Sequence, residues 1–106
     1  MTNLLQEYQK FTQTTAVYPK DEEEFYLWMG LLGELGEIAS KIKKEIRDDK
    51  LFEPHDRLAE FGDVMWYISQ LANLYQIDLS HALIYNRDKL IDRQNRGVIK
   101  GDGDNR

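Results

Sequence analysis

Apolar residues along this chain recur at spacings of three and four and do not alternate with polar ones, so the pattern predicts helices and no strands. The class expected is all-α, with four helices. The first spans about Thr2 to Thr14, where Leu4, Leu5, Tyr8 and Phe11 share a face. After Tyr18-Pro19, Asp21 and Glu24 form a D-x-x-E start resembling a capping box. A long helix to about Arg47 then carries Trp28, Leu31, Leu32, Leu35, Ile38, Ala39, Ile42 and Ile46 on a stripe about 120° wide. Trp28, at its centre, is expected in the core, while Glu34, Glu37, Lys41 and Lys44 project to the other side. Asp48 to Glu53 is a charged connector, and Pro54 suits the first turn of a third helix reaching about Gln76. Leu58, Phe61, Val64, Met65, Ile68, Leu71, Ala72 and Tyr75 form its stripe, flanked by Glu60, Asp63 and Tyr67. Asp78 or Ser80 caps a fourth helix running to about Asn95, with Asn86, Lys89 and Arg93 on one face. The expected division is a helical domain over 1–95 and a polar, glycine-rich tail over 96–106 that is either an extension or a closing flap.

Composition narrows the chemistry. A chain of 106 residues is most simply one domain, near the lower end of comfortable size, so self-association is a natural way to bury more surface. There is no cysteine, which excludes thiolate metal sites and a cysteine nucleophile. The two histidines, His55 and His81, lack a partner at metal-ligand spacing and read as surface residues. Oxygen ligands remain. The first ten residues lack the layout of a signal peptide, and no apolar run approaches the roughly 18 residues of a spanning helix, so the expected setting is the cytoplasm, away from membranes. The net charge of −5 disfavours polymeric nucleic acid. A single nucleotide is compatible with it, provided that cations lie between its phosphates and the acidic side chains.

Two carboxylate pairs carry the candidate chemistry. Glu34 and Glu37 lie three apart on the second helix, and Glu60 and Asp63 three apart on the third, so each pair occupies neighbouring positions on one helix surface. Convergence of the four would offer oxygen ligands to a hard divalent cation such as Mg²⁺. Gly30, Gly33 and Gly36 surround the first pair although each interior glycine costs about 1 kcal/mol relative to alanine. They serve either close approach of a cation or phosphate, or tight helix packing. Glu60 and Asp63 sit in an apolar, aromatic neighbourhood where a bound cation or a salt bridge from an adjacent helix would offset desolvation. Lys41 is placed to pair with Glu37 or to meet a phosphate. Asn86, Lys89 and Arg93 are either a solvated face or donors to an anion. Among the aromatic residues Trp28, Trp66, Tyr67 and Tyr85 are candidates to stack on a base; Trp28 is set aside for the core, and Trp66, off the apolar stripe on the Asp63 side, leads the rest, although a subunit interface would explain it equally well.

The stretch Gly33-Glu34-Leu35-Gly36-Glu37, followed by Glu60-Phe61-Gly62-Asp63-Val64-Met65-Trp66-Tyr67, resembles the E-x-x-E and E-x-x-D signature of the MazG-like all-α nucleoside triphosphate pyrophosphohydrolases. Asn86-Arg87-Asp88-Lys89-Leu90 with Arg93 is similar to that family's N-x-x-K motif, and the tail resembles the ending of a compact phage or bacterial branch. The resemblance implies a four-helix MazG-like bundle whose helices pair in a homodimer or homotetramer with shared sites. It implies hydrolysis of a nucleoside triphosphate to a monophosphate and pyrophosphate, in the service of nucleotide-pool housecleaning. Glu34, Glu37, Glu60 and Asp63 would be the catalytic and metal-binding set for Mg²⁺, with Mn²⁺ as a substitute, and Glu34 the preferred general base. Lys89 and Arg93 would contact phosphate, Asn86 the sugar or base, with Lys41, Trp66 and Tyr67 completing the substrate contacts. A relative acting on dUTP, dCTP or phosphoribosyl-ATP, or a helical interaction module without activity, are the competing readings.

Overall fold

The computed structural model describes residues 2–106. Four α-helices make up its regular structure: α1 (Leu4–Thr12), which runs into a single 3₁₀ turn (Gln13–Thr15), α2 (Glu23–Asp48), α3 (Pro54–Leu74) and α4 (Leu79–Arg96). No strand occurs among the described residues, in agreement with the all-α expectation.

Local chemistry sets most of the boundaries. Asn3 accepts from the Gln6 amide at 2.9 Å while the Gln6 side chain accepts from the Asn3 amide at 3.2 Å, a reciprocal cap at the start of α1. Pro54 opens α3, and Asp78 caps α4 by accepting from the Ser80 amide at 2.9 Å. Gly97, at φ 71°, ends α4 in the left-handed region. The capping box predicted from Asp21 and Glu24 does not form: α2 begins after Glu22, which makes no side-chain cap. Glu23 instead accepts from the Tyr18 hydroxyl at 2.8 Å, and Glu24 from that of Tyr75 at 2.6 Å. These carboxylates tie the start of α2 to its surroundings.

Helices α2 and α3 form an antiparallel hairpin, α1 packs on α3, and α4 on α1. The core is small: Tyr18, Leu27, Leu31 and Leu71, with Ala16, Val64, Trp66, Tyr67, Ile68 and Leu74 against it. A fully buried leucine such as Leu27 contributes about 1.5–3 kcal/mol, and few residues here are buried that deeply. The radius of gyration is 17.2 Å, against about 13 Å for a compact chain of this length. The four helices therefore make a loosely packed bundle.

The predicted α2 stripe meets this geometry only in part. Leu27 and Leu31 face α3, followed along the same side by the half-buried Glu34, Ile38, Lys41 and Glu45. This contact face is turned by roughly 80° about the helix from the centre of the stripe. Leu32, Leu35, Ile42 and Ile46 remain exposed, and so does Trp28, which is 44% exposed and donates to the Tyr75 hydroxyl at 2.9 Å. Trp28 is thus outside the core that its position in the stripe predicts. On α3, Leu58, Phe61 and Met65 are likewise exposed.

Where α1, α3 and α4 meet, side-chain amides do the joining. Gln9 donates to the Ile77 carbonyl at 2.6 Å and to Asn73 at 3.0 Å, and accepts from the Leu79 amide at 2.9 Å. Gln70 donates to the Thr12 carbonyl, Gln6 to Asp78 at 2.9 Å, and Ser80 to Asn3 at 2.9 Å. Gln9, Thr12 and Gln70 are buried, and these bonds meet the hydrogen-bonding requirement of their burial.

Candidate active site

The antiparallel register of α2 and α3 lays out the site as a sequence of steps along one seam. At the first step Tyr67 crosses α2 over Gly30, where any side chain would collide with its ring. One turn on, Glu34 stands among Asp63, Glu37 and Glu60. Beyond it Lys41 forms an ion pair with Glu60 across the seam, and Arg57 of α3 pairs with Glu45 of α2. Tyr26, Gly30 and Glu34 follow i, i+4, i+8 and so form one ridge of α2. Asp63 and Tyr67, four apart, form the facing part of α3.

The charges along the seam act on one another's protonation. Burial, followed by the charges of Asp63, Glu37 and Glu60, holds the Glu34 carboxyl above the usual carboxylate range, and Lys41 opposes the rise. Burial and the neighbouring Tyr26, Glu34, Asp63 and Glu37 raise the Tyr67 phenol as well. Tyr8 of α1 is raised by burial and by Asp63, which puts α1 within range of the same charges. Glu60 is buried, and its Oε2 has no hydrogen-bond partner among the described residues; its nearest cation on that side is Arg57 Nε at 4.0 Å.

Lys41 pairs with Glu60, and not with Glu37 one turn before it, so the salt bridge from an adjacent helix is the alternative realised at Glu60. Among the described residues no three His, Cys, Asp or Glu side chains are arranged to hold a metal ion. Two features are still compatible with a hard divalent cation: the charges of Asp63, Glu37 and Glu60 act on Glu34, and the buried Glu60 Oε2 lacks a hydrogen-bond partner. Lys41 supplies part of the countercharge in this arrangement.

An open cavity of about 770 Å³ adjoins the seam, lined by Phe25, Tyr26, Met29, Gly30 and Tyr67, with Asp21 and Glu22. Tyr67 thus lines the cavity with an aromatic face. Trp66 does not line the cavity: its indole donates to Thr15 at 2.7 Å, and it packs edge-on against Tyr67, 5.0 Å between centroids, and Tyr18, 6.2 Å. Trp66 thus joins α3 to the turn after α1, and the aromatic residue that lines the cavity beside Tyr67 is Tyr26. The i, i+4, i+8 spacing of Tyr26 to Glu34 is the signal that sequence reasoning passed over, and Phe25 and Met29, also four apart, run beside it; no such pattern marks Arg57. Tyr85 is 70% exposed. On α4, Lys89 and Arg93 come together, both on Asp104 of the tail, while Asn86 is exposed.

Residues 23–98 match the family model of the MazG nucleotide pyrophosphohydrolase domain. The chain belongs to the MazG family. It is also similar to the Gene 37 protein of Mycobacterium phage L5, 47% identical over 93% of this chain and 96% of that protein. No solved structure matches it. The MazG match contains both carboxylate pairs, the cavity wall from Phe25 to Tyr67, and Asn86, Lys89 and Arg93. It leaves α1 and the last part of the tail outside. Membership supports nucleotide pyrophosphohydrolysis as the broad activity. Among the described residues no helix is long and apolar enough to cross a membrane.

Proposed function

We propose that this MazG protein hydrolyses a nucleoside triphosphate at the bond between its α and β phosphates, releasing a nucleoside monophosphate and pyrophosphate. The observation that carries this reading is the gathering of Glu34, Asp63, Glu37 and Glu60 on one seam beside an aromatic cavity. Glu34, Glu37, Glu60 and Asp63 would hold Mg²⁺, or Mn²⁺ in its place. Such a cation neutralises phosphate charge and lowers the pKa of bound water.

The chain's own groups divide the remaining work. Glu34, with its raised proton affinity, is suited to accept the proton of an attacking water as general base. Tyr67 and Tyr26 offer faces for the base, with Asp21 and Glu22 within the same cavity as acceptors for its N–H groups. Lys89 and Arg93 bind phosphate oxygens, and Asn86 the sugar or base. These three stand on α4, which packs on α1, and in this reading a second copy of the chain brings them to the seam. The exposed Leu32, Leu35, Ile42 and Ile46 on α2, with Phe61 and Met65 on α3, support that assembly, because exposed apolar surface of this kind marks interaction sites. Sedimentation at micromolar concentration is expected to give a dimer or tetramer, reduced to monomer by Leu32→Glu; a monomeric wild type would remove the shared-site part of the proposal.

The deciding experiment is a panel of standard and modified nucleoside triphosphates with Mg²⁺, in which pyrophosphate and orthophosphate are measured separately. Stoichiometric pyrophosphate is expected, with rates ranking the bases and identifying any preference for dUTP or dCTP. Release of orthophosphate, or no turnover across the panel, would overturn the reading.

A further inference from the structure

The tail, residues 97–106, is folded against the end of α4 by its own terminal arginine. Arg106 donates to the carbonyls of Val98 at 3.1 Å, Gly103 at 2.6 Å and Ile99 at 3.0 Å, closing the segment into a ring. Arg96 of α4 donates to the Arg106 carbonyl. The ring delivers Asp104 to the basic face of α4. Its Oδ1 accepts from Lys89 Nζ at 2.8 Å and from Arg93 Nη2 at 3.3 Å, and Arg93 also donates to the Asp104 backbone carbonyl at 2.7 Å.

The two partners differ in burial. Arg93 is 6% exposed, whereas the Asp104 side chain is 81% exposed. A buried guanidinium beside an ammonium is a fixed, directional donor set for oxyanions, and the group now meeting it is a carboxylate at the rim, open to exchange with solvent. Lys89 and Arg93 hold the Asp104 carboxyl below its ordinary range, so that it is an anion at neutral pH.

We infer that Asp104 is the chain's own placeholder in the phosphate seat proposed for Lys89 and Arg93, displaced when a phosphate or pyrophosphate moiety binds. The inference deepens the proposed function, since the phosphate concerned would be that of the nucleotide or of the released pyrophosphate. A carboxylate with one charge holds the seat less firmly than a phosphate with nearly two, so the contact screens the seat without closing it. Exposed ion pairs contribute little to folding, which leaves Asp104 free to exchange.

Calorimetric titration of the full-length protein with inorganic phosphate, pyrophosphate and a nonhydrolysable nucleoside triphosphate, each with Mg²⁺, tests this without turnover. Asp104→Asn is expected to tighten pyrophosphate binding about two- to fivefold, the range set by losing one exposed ion-pair competitor. Asp102→Asn makes the same change of charge in the same tail and is expected to leave affinity unaltered. Lys89→Gln in the Asp104→Asn background should abolish the gain. Tightening with all three ligands identifies a general phosphate seat, and tightening with the triphosphate alone assigns it to the nucleotide. Equal effects of Asp104→Asn and Asp102→Asn, or weaker binding in Asp104→Asn with an unchanged melting temperature, would overturn the inference. Failure of hydrolysis with retained tightening would instead count against the proposed reaction alone.

Discussion

Tyr67 crosses α2 at Gly30, where a β-carbon would stand 2.5 Å from Tyr67 Cζ and 2.8 Å from its hydroxyl oxygen. Alanine at Gly30 gains about 1 kcal/mol of helix propensity but overpacks the seam at a cost of about 1–3 kcal/mol. Gly30→Ala is therefore expected to lower stability in chemical denaturation. Gly33 has open space around it, and Gly33→Ala should raise stability by up to about 1 kcal/mol. A loss at Gly33 would put another molecule against that side of α2.

The carboxylates are expected to separate fold from activity. Glu37→Gln and Asp63→Asn keep side-chain shape and remove charge, so pyrophosphate release should fall by more than a hundredfold, about 2.7 kcal/mol of barrier, with little change in metal-free melting. Addition of Mg²⁺ at about ten times its Kd should stabilise the wild type by about 1.4 kcal/mol and these variants much less. Full turnover in both variants would refute the metal assignment.

Much of this arrangement can be read from sequence, and its gaps have physical causes. The i, i+3 carboxylate pairs, Pro54 and Asp78 are governed by local rules, and each lies where those rules put it. Which side of α2 meets α3 is a tertiary matter. The apolar stripe of α2 is broad enough to serve two contacts, and of its residues only Leu31, on one margin, is buried within the chain, next to Leu27 just outside it. Trp66 illustrates the same limit: helical projection puts it beside Asp63, but its hydrogen bond to Thr15 reaches across 51 positions of sequence. The tail was legible as polar and glycine-rich, yet nothing in its composition pairs Asp104 with Lys89 and Arg93.

Acidity should act on the seam through Glu34. Its folded carboxyl takes up a proton more readily than in the unfolded chain, so its contribution favours folding at low pH and is lost as pH rises through the raised value. In metal-free buffer Glu34→Gln should remove this dependence and stabilise the protein at neutral pH by about 0.5 kcal/mol, roughly 2–4 °C in Tm. Melting curves of the two proteins between about pH 4 and 7 would check it. Coincident wild-type and variant profiles would show that the repulsion around Glu34 is absent.

Trp66 and Tyr67 are adjacent in sequence and separable in effect. Trp66→Phe loses the bond to Thr15 and part of an edge-on contact, and is expected to cost about 1–2 kcal/mol of stability with KM little changed. Tyr67→Ala opens the cavity wall and should raise KM for the nucleotide several-fold. A KM effect confined to Trp66→Phe would reverse the assignment.

The amide bonds that lace α1, α3 and α4 respond to cold differently from the bare apolar sides of α2 and α3. Hydrophobic attraction weakens on cooling, whereas a network anchored by Gln9, Gln70 and Asn73 does not depend on it to the same degree. The assembly proposed above should therefore come apart on chilling before the helices within each subunit loosen, leaving folded subunits that reassociate on warming.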